Sequence, residues 1–538
     1  MELDNDDDKQ FILNGINHGF SLIDCDPSEL QPAVVPNHNS ATNPRSLSKV
    51  EHRIKAELED GNYIISDTKP TMVSALAAIE KPDGDIRLIH DLSRPHGYSV
   101  NDFASKEECH YTSLDDALAF CKPGSWMCKI DLKWAYRSFA IPLSEHQITG
   151  LQWTFAGHSK NTYLLDGKLP FGARKSPAIY NRITQAIQRM MRRKGYNCCA
   201  YLDDFICVAN DKASCHQAFN CLLTLLRRLG LRINWTKVVD PCQCISYLGI
   251  EIDSVKGTLR LDQTKAQSLH ALLLDTMKKT RLTKRQLQSI AGKLNWACNV
   301  HPWGRPFMAS FFQAIAMLSK PDHKFKISEV MRMDMHWWAC CLANDIHVRH
   351  IWDQRPGVVI TTDSCSVGAG GFCFNDGDFC YINWLLDKPW LSNAHINLKE
   401  LATVMICLER WAAAHPGHHF YVYSDSFMTT CAINKHYSPN SLASKILRFI
   451  AQLVMKYNIS ISAFFIKGTS NDIADAISRL HSPGQALRLS SILRHTLSHG
   501  DYVYYLPYHM SNLAFNFLLP SLQKMWDHWT NWIMKSLD

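Results

Sequence analysis

Apolar residues follow helical and strand-like periods in alternation along most of this 538-residue chain. Between residues 46 and 255, short β-like apolar runs alternate with helical patterns. The clearest helix carries Phe219 and Leu226 on one face and ends at Gly230. The residues that follow, 231 to 235, alternate as in a strand. The pattern therefore predicts an α/β region here.

Helical spacing dominates the next stretch, residues 256–350. A second region of alternating strands and helices covers residues 355–480. The flanks differ from both: residues 1–45 are polar without periodicity, and residues 481–538 are aromatic and partly helical. The pattern predicts a multidomain α/β and α+β protein with a flexible leader at one end and a C-terminal extension at the other.

Composition narrows the class of protein. Hydrophobic residues make up 46% of the chain and charged residues 20%, proportions that exclude a mainly disordered chain. Lys and Arg total 57 against 50 Asp and Glu, a surplus that permits an anionic partner without requiring one. The chain opens with acidic residues, and no apolar run approaches the ~18 residues of a membrane span. We therefore expect an intracellular protein, cytoplasmic or nuclear, with no membrane partner.

Three aspartates indicate a metal site in the first α/β region. Asp203 and Asp204 stand together between two apolar runs, as at the tip of a β-hairpin, although aspartate is also common in ordinary turns. Asp131 ends another apolar run, and a carboxylate at a strand end can face the hairpin tip across a sheet. Together they can hold two divalent cations about 3.5–4 Å apart, the arrangement used in phosphoryl transfer. Oxygen ligands favour Mg²⁺.

Further motifs precede and follow these aspartates. The segment from Lys81 to Arg87 is predicted to form an Asp-Gly hairpin whose two cations can clamp a triphosphate, although a solvated turn is the simpler interpretation of that segment alone. Gly172, in a Pro-Phe-Gly turn, allows a ligand to approach the backbone closely. Lys237 and the tripeptide Tyr-Leu-Gly at 247–249 follow the aspartate pair.

In this order, the motifs resemble the reverse transcriptases of retrotransposons and retroviruses, most closely those of DIRS-type elements and next those of gypsy-type elements. The resemblance implies a right-hand polymerase, with fingers and palm in residues 46–255 and a helical thumb and connection in residues 256–350. It also implies a role for each matching residue. Asp131, Asp203 and Asp204 hold metal ions, Lys81 and Arg87 contact the triphosphate, and Lys237 protonates the leaving pyrophosphate. Gly172 lies against the nucleotide and template, and Leu248 and Gly249 grip the primer end.

Tyr136 carries a prediction about the sugar of the incoming nucleotide. An aromatic ring packed under the sugar leaves no room for a 2′-hydroxyl, so it selects deoxyribonucleotides by exclusion. A bulky residue here argues against a polymerase that makes RNA. The alternative interpretation is a plain core tyrosine.

Four further acids are spread through the second α/β region. Asp363 and Asp425 follow strand-like runs, Glu400 lies near the start of a helix, and Asp475 lies on a later helix. Each alone is typical of a solvated or capping carboxylate, but four such groups can hold two Mg²⁺ ions around a phosphate. The set, with Asn471 four residues before Asp475, is similar to the ribonuclease H domain that follows the polymerase in such retroelements.

This second resemblance implies a five-stranded mixed sheet with helices in residues 355–480. It implies a metal site formed by Asp363, Glu400, Asp425 and Asp475. One position departs from the family pattern, because Phe465 stands where many ribonucleases H have a histidine that helps product release. The departure predicts slower turnover.

The leading hypothesis is an RNA- and DNA-directed DNA polymerase with ribonuclease H activity that acts in retrotransposon replication. Its expected cofactor is Mg²⁺, two ions per active site, with Mn²⁺ as an alternative. Its expected partners are an RNA template, a DNA primer or RNA–DNA hybrid, and deoxynucleoside triphosphates. The alternative is a domesticated or decayed copy that binds nucleic acid without catalysis. The sequence predicts no particular oligomeric state.

Overall fold

The computed structural model describes residues 3–4, 6–81, 84–344 and 348–499, except for the side chains of residues 344 and 495–499. Pro82 and Asp83 of the predicted Asp-Gly turn lie outside the described residues, as do the aromatic residues of the C-terminal extension beyond position 499. The chain divides into two compact units, one that ends at Gly257 and one that begins at Thr258.

Short strands and longer helices alternate in the first unit. Its strands β1 to β13 are, in chain order, Ala33–Val34, Tyr63–Ser66, Met72–Val73, Ala75–Glu80, Ile86–Asp91, Trp126–Asp131, Gly150–Trp153, Thr162–Asp166, Asn197–Tyr201, Asp204–Ala209, Val239–Cys242, Cys244–Tyr247 and Ile250–Asp253. Its helices α1 to α6 are Lys9–His18, Asn39–Thr42, Leu47–Glu59, Leu114–Leu118, Ser176–Arg193 and Lys212–Arg228.

A four-stranded antiparallel sheet, in the order β11-β6-β10-β9, carries the predicted acids of the first unit. Strands β6 and β10 are apolar almost throughout, because residues of α5 and α6 pack with Ile130 and Phe205 in one buried cluster. Phe219 and Leu226 of α6 belong to the same cluster, as their helical spacing predicts. The buried strands end at Asp131 and begin at Asp204, so they bring both acids to one edge of the sheet.

The strand expected over residues 231–235 does not form. Ile233 makes an isolated bridge with Leu132, and a 3₁₀ turn begins at Trp235. Two backbone hydrogen bonds form that bridge: the N–H of Lys133 donates to the carbonyl of Arg232 at 2.7 Å, and the N–H of Asn234 donates to that of Asp131 at 2.8 Å. The pairing ends there, where the chain turns into the 3₁₀ segment.

The leader expected to be flexible is folded over its described part. It contains α1, β1 and α2, and β1 pairs in parallel with β3. Phe20 and Leu22 lie in an apolar cluster with residues of α5, and the buried carboxylate of Asp6 pairs with Arg189 at 2.6 Å. The prediction is wrong because these anchors are too widely spaced along the chain to produce a period.

A buried ion network connects three elements of the first unit. The Arg137 side chain, 6% exposed, donates to Glu57 of α3 at 3.0 Å and to both carboxylate oxygens of Asp166 of β8 at 2.7 and 2.8 Å. Asn62 also donates to Glu57, at 2.8 Å. Buried charges persist only when they are paired and hydrogen-bonded. The network therefore fixes the turn that carries Arg137 against α3 and β8.

The second unit begins with helices and continues into a larger sheet. Its strands β14 to β22 are Thr258–Leu261, Arg281–Thr283, Lys324–Lys326, Arg349–His350, Gly357–Ser364, Gly368–Cys373, Asp378–Asn383, His419–Ser424 and Ser460–Phe465. Its helices α7 to α16 are Gln263–Met277, Lys284–Ala297, Ala309–Ala316, Glu329–Asn344, Trp384–Asp387, Ile396–Trp411, Phe427–Lys435, Ser441–Tyr457, Asp472–Ser478 and Gln485–His499.

The five-stranded sheet of the second unit has the order β20-β19-β18-β21-β22 and is mixed, as the ribonuclease H resemblance implies. Its strands β18, β21 and β22 run parallel, and β19 and β20 run antiparallel to their neighbours. Successive side chains face opposite ways: Val358 and Ile360 pack with residues of α12 and α14, whereas Val359 packs with residues of α15 and α16. The predicted α/β and α+β multidomain fold class is confirmed.

The apolar core of the second unit does not divide between residues 350 and 355, where the sequence predicts a domain boundary. One cluster runs from α7 and α8 through α10 to α12 and α14. Asp334 of α10, fully buried, pairs with Arg448 of α14 at 3.0 Å and accepts from Ser310 at 2.6 Å. In the described part of the chain, no helix is both long and apolar enough to span a membrane.

Replacing Arg137 with Met is expected to destabilise the first unit by about 3–5 kcal/mol, because Glu57 and Asp166 then stay buried without their counter-charge. Hydrogen exchange at the amides of β8, measured by mass spectrometry, gives the opening free energy of this unit separately. The control is Arg232→Met, since Arg232 is largely exposed and 3.9 Å from Asp60, and its loss is expected to cost less than about 1 kcal/mol. Equal losses in both variants would contradict the prediction.

Candidate active sites

The backbone of the first unit holds two carboxylates opposite each other. Asp131 ends β6, Asp204 begins β10, and the two residues pair directly in antiparallel register. Asp203 precedes Asp204 in the two-residue turn from β9, where Leu202 adopts a left-handed φ of 51°. This is the hairpin that the Tyr-Leu-Asp-Asp sequence predicts. Directly opposed residues have Cβ atoms about 4.5–5.5 Å apart, close enough for their carboxylates to share a cation.

Two side chains from the segment after α6 contact Asp131, which is only 3% exposed. Asn234 donates through Nδ2 to Oδ1 at 2.9 Å, and Lys237 Nζ lies 3.0 Å from Oδ2. Partial burial disfavours the charge on Lys237, but the hydrogen bond to Asp131 and the charges of the three aspartates together outweigh it, so the pKa of Lys237 is raised. Lys237 therefore stands beside the acids as a protonated amine.

The aspartates of this site repel one another in a partly buried position. Burial, opposed by Lys129 and reinforced by the charges of Asp131 and Asp203, raises the pKa of Asp204 to about 6. Burial also raises the pKa of Asp203, with a further contribution from Asp131. A divalent cation relieves both the repulsion and the poor solvation, so the donor set fits Mg²⁺.

A cavity of about 700 Å³ opens in front of these acids, a volume that suits a nucleotide-sized ligand. Part of its wall is the buried network of Arg137, Glu57 and Asp166. Six of the predicted polymerase residues line it: Lys81, Arg87, Asp131, Tyr136, Asp203 and Lys237. Four do not: Asp204, Gly172, Leu248 and Gly249.

Aromatic packing fixes the ring of Tyr136 at the cavity wall. Its ring centre lies 5.0 Å from that of Phe171 and 5.2 Å from that of Tyr180, the latter edge to face. Burial raises the pKa of Tyr136 to about 12, so its hydroxyl stays neutral. Arg87 lies 5.1 Å from the Phe171 ring centre, and Lys81 forms an ion pair with Asp85 at 2.6 Å. A ring held between two neighbours is suited to steric exclusion.

The local backbone conformation explains the residue types at Gly172 and in the Leu248-Gly249 turn. Gly172 has a φ of 126°, and a Cβ there would lie 2.0 Å from the carbonyl oxygen of His90. Glycine is therefore required by the close approach of β5, a reason that differs from the ligand contact expected from the sequence. Leu248 and Gly249, with φ of 51° and 79°, form the two-residue turn between β12 and β13.

In the second unit, three carboxylates converge from two strands and a helix. Asp363 lies near the end of β18, Glu400 near the start of α12, and Asp425 directly after β21. Carboxylate oxygens of all three lie within 4.8 Å of one another. The neighbouring parallel strands β18 and β21 end at the same edge of the sheet, and this places Asp363 and Asp425 together.

Burial dominates the electrostatics of this cluster. Burial and the charges of Asp363 and Asp425 raise the pKa of Glu400 to about 9. Burial likewise raises the pKa of Asp363 to about 6, although Ser478 donates to it at 2.6 Å. Ser364 donates its N–H to Glu400 Oε1 at 3.0 Å, but the buried Oε2 has no hydrogen-bond partner among the described residues. A buried oxygen without a partner, inside a carboxylate cluster, fits a divalent cation.

Asp475, the fourth predicted acid, lies outside this group of three and is held by two arginines. Arg479 Nε donates to Asp475 Oδ1 at 2.6 Å, and Arg488 of α16 donates to Oδ2 at 2.8 Å. Helical spacing could have indicated Arg479, four residues on, but no period connects Arg488 to the site. A cation that binds Asp475 has to compete with the guanidinium groups of Arg479 and Arg488 for the carboxylate oxygens, or share those oxygens with them.

Two other residues of the predicted nuclease motif have clear positions. Asn471 is buried and donates through Nδ2 to the carbonyl of Thr362 at 2.9 Å, which holds the start of α15 against the end of β18. Phe465 ends β22 with its side chain half exposed and its ring centre 6.2 Å from that of Phe427. The position that carries a histidine in many ribonucleases H is therefore an exposed aromatic surface.

The raised pKa of Glu400 predicts how stability depends on pH. A carboxyl whose pKa rises on folding, here from 4.5 to about 9, makes the metal-free chain less stable as the pH rises between those values. Mg²⁺ should remove this penalty, so we expect it to raise the melting temperature more at about pH 8.5 than at about pH 5.

The substitution Glu400→Gln is expected to reduce both the pH dependence and the Mg²⁺ effect, whereas Glu329→Gln, at an exposed glutamate of the same unit, should change neither. Differential scanning calorimetry of the full chain measures all three proteins. A Mg²⁺-induced shift that is the same in the parent and in Glu400→Gln would argue against this site.

Among solved structures, the fold is similar to that of the foamy viral protease-reverse transcriptase. In its complex with double-stranded DNA the TM-score is 0.49 at 16% identity, covering 86% of this chain and 79% of that one. In its complex with an RNA/DNA hybrid the TM-score is 0.47 at 15% identity, covering 86% and 61%.

Sequence comparison finds similarity to one protein family and to several polyproteins. Residues 79–252 match the family model of the reverse transcriptase (RNA-dependent DNA polymerase). The chain is 24% identical over 319 residues to the enzymatic polyprotein of Cauliflower mosaic virus (strain NY8153), which covers 58% of this chain and 44% of the relative. It is 29% identical over 177 residues to the Gag-Pol polyprotein of Avian reticuloendotheliosis virus, covering 32% and 14%.

A third relative is the retrovirus-related Pol polyprotein from transposon 297 of Drosophila melanogaster, 21% identical over 450 residues and covering 80% of this chain and 38% of the relative. The chain thus spans less than half the length of each of these three polyproteins. Residues 79–252 thus match the reverse transcriptase family, in a chain that is similar to viral and transposon polyproteins.

Proposed function

We propose that this chain is an RNA-directed DNA polymerase that also copies DNA, and that a second site degrades the RNA of RNA–DNA hybrids. Its substrates are then a primed RNA or DNA template, deoxynucleoside triphosphates and the hybrid product. Its role is the replication of a retroelement inside the cell, in the cytoplasm or nucleus. The segment Pro241-x-Gln243-x-Ile245-x-Tyr247-Leu248-Gly249 resembles that of DIRS-type elements and so supports kinship with them first, and with gypsy-type elements next.

One observation carries the polymerase proposal. Asp131 and Asp204 are paired across two buried strands, Asp203 lies in the turn just before Asp204, and the cavity beside them is lined by the cations Lys81 and Arg87. Paired acids supply a metal site, and cations supply a site for a polyphosphate. Together they support transfer of a nucleotide from its triphosphate.

The mechanism assigns a task to each residue of this cavity. Two bound divalent cations would lower the pKa of a primer 3′-hydroxyl and offset the charge on the leaving pyrophosphate. Asp131, Asp203 and Asp204 hold those cations. Arg87 and Lys81 bind the triphosphate, and Lys237, already protonated, acts as the general acid toward the pyrophosphate.

Two further positions act through the backbone in this proposal. The tight turn of Leu248 and Gly249 grips the primer end, and the backbone of Gly172 lies against the nucleotide and template. Gly172 is exposed, which supports access to its backbone from solvent.

The second site uses the same chemistry on RNA. Asp363, Glu400, Asp425 and Asp475 would hold the cations, and bound cations would supply an activated water molecule for attack on a phosphate. The partnerless Oε2 of Glu400 supports a cation there. Phe465 supplies no imidazole to assist product release, so turnover is slower than in relatives that carry a histidine.

Primer extension on an RNA template with Mg²⁺ tests the polymerase site. Asp203→Asn is expected to reduce the extension rate by roughly a hundredfold or more, since even the outer partners of metal ligands contribute about ten- to a hundredfold. Asp240→Asn, at an exposed aspartate of the same unit, is the matched control and should extend at the parent rate. No extension by the parent chain, with intact duplex binding, would favour the non-catalytic alternative.

Cleavage of a labelled RNA–DNA hybrid tests whether there are two independent sites. We expect Asp425→Asn to abolish hybrid cleavage while primer extension continues, and Asp203→Asn to do the reverse. Asp322→Asn, at an exposed aspartate of the second unit, should leave both activities unchanged. Loss of both activities in either site variant would contradict two separate centres.

The choice of sugar tests the role of Tyr136. Replacing Tyr136 with Ala is expected to raise incorporation of ribonucleotides relative to deoxyribonucleotides by about ten- to a hundredfold, the effect of relieving about 1–3 kcal/mol of steric overlap. Tyr136→Phe keeps the ring and should keep the parent selectivity. Competition between the two nucleotide types in single-turnover extension measures the ratio. Equal selectivity in the alanine variant and the parent would refute the exclusion model.

A further inference from the structure

A cluster of mixed potential metal ligands, a cysteine, an aspartate and a histidine, lies at one end of the five-stranded sheet. The four acids of the candidate nuclease site lie at the opposite end. Cys373, Asp376 and His415 each turn one donor atom toward the others, and the sulfur, oxygen and nitrogen all lie within 4.8 Å of one another. Cys373 pairs with Ile360, three residue pairs along the β18–β19 ladder from Asp363. At about 3.4 Å per pair, the cluster is at least about 10 Å along the sheet from the candidate nuclease site.

Local structure holds the three donors in place. Cys373 is the last residue of β19, and Asp376 lies in the turn to β20. The side chain of Asn375 clamps that turn to β18, because it accepts from the N–H of Val359 and donates to the carbonyl of Gly357, both at 2.9 Å. His415 lies in the short segment after α12. The donors therefore come from a clamped turn and the end of a helix.

The distances match those between ligands of one metal ion. Cys373 Sγ lies 3.6 Å from Asp376 Oδ2, and His415 Nε2 lies 2.9 Å from both carboxylate oxygens of Asp376. Tetrahedral Zn²⁺, with bonds of about 2.3 Å to sulfur and about 2.1 Å to oxygen, separates those two ligands by about 3.6 Å. The imidazole and carboxylate need to separate by only about half an ångström to reach the corresponding spacing of about 3.4 Å.

The kind of donor separates this cluster from the two acidic sites. A thiolate, an imidazole and a carboxylate together favour Zn²⁺ over Mg²⁺, which prefers oxygen ligands only. Cys373 is fully buried, whereas the side chains of His415 and Asp376 are 16% and 30% exposed. An ion can enter from the side of the exposed pair and retain a water molecule as its fourth ligand.

We propose that Cys373, Asp376 and His415 bind one Zn²⁺ ion at a site separate from both candidate active sites. Cys373 binds as the thiolate and its proton passes to solvent. The ion joins the β19–β20 turn to the segment after α12, and so stabilises the sheet end remote from the acids. This proposal does not depend on the proposed polymerase or nuclease function.

Cobalt provides the direct test, because Co²⁺ replaces Zn²⁺ and absorbs in the near ultraviolet when bound by a thiolate. The full chain is titrated with Co²⁺ in excess Mg²⁺, which occupies the acidic sites. We expect one Co²⁺ per chain with a thiolate charge-transfer band, and displacement of that band by Zn²⁺. Cys431→Ser, at a half-buried cysteine of α13, is the matched control and should give the same spectrum.

Three variants decide the assignment. Cys373→Ser should lose the band, and Asp376→Asn and His415→Gln should weaken Co²⁺ binding by about tenfold or more. Asp376→Asn changes a partly exposed residue, so it gives the answer even if Cys373→Ser does not fold. Any of three results would refute the site: no thiolate band in the parent chain, a band that persists in Cys373→Ser, or an affinity of Asp376→Asn for Co²⁺ equal to that of the parent. In those cases Asp376 and His415 form only an ion pair.

Discussion

Repulsion between carboxylates that the backbone holds together is the constraint on which both candidate active sites depend. The ladder between β6 and β10 sets Asp131 opposite Asp204, and the ladder between β18 and β21 sets Asp363 beside Asp425. Slipping either strand by one residue would exchange its side chains between two closely packed faces, so the packing of the sheets resists the repulsion. Burial is the main cause of the raised pKa values of Asp204 and Glu400, and the charges of the neighbouring carboxylates raise them further. A divalent cation offsets both effects, which is why structure and chemistry point to the same ligand.

The surroundings of the first site favour an anionic ligand as well as a cation. Trp134 lines the cavity with a left-handed φ of 63°, and the charged groups of Arg53, Lys133 and Arg232 lie 4.6 to 5.4 Å from its ring centre. These cations add a positive potential near Arg87 and attract a polyphosphate. The buried Arg137 network gives this charged wall a fixed support, since its partners come from a helix and a strand of the same unit.

Much of the two sites follows from local sequence pattern, and the remainder depends on long-range contacts. The Asp203-Asp204 hairpin and the position of Asp131 at a strand end could be predicted, because period and turn chemistry act over a few residues. The mixed five-stranded sheet is implied only by the resemblance to ribonuclease H. The folded leader could not be predicted, since Asp6 is stabilised by Arg189, 183 residues away. The larger core of the second unit, which continues across residues 350–355, depends on similarly distant contacts, and Arg488 reaches Asp475 from a separate helix 13 residues further on. Gly172 is a different case: its residue type was recognised, but its cause is the approach of His90.

The central claim is that Asp131, Asp203 and Asp204 form one metal site and Asp363, Glu400 and Asp425 form another. Replacement of Mg²⁺ by Fe²⁺, followed by hydroxyl-radical cleavage of the chain and mass spectrometry, locates bound metal directly. The account predicts cuts near residues 131 and 203–204 and near 363, 400 and 425, all suppressed by excess Mg²⁺. Cuts at other positions only, or cuts near the first three aspartates that Mg²⁺ does not suppress, would contradict it.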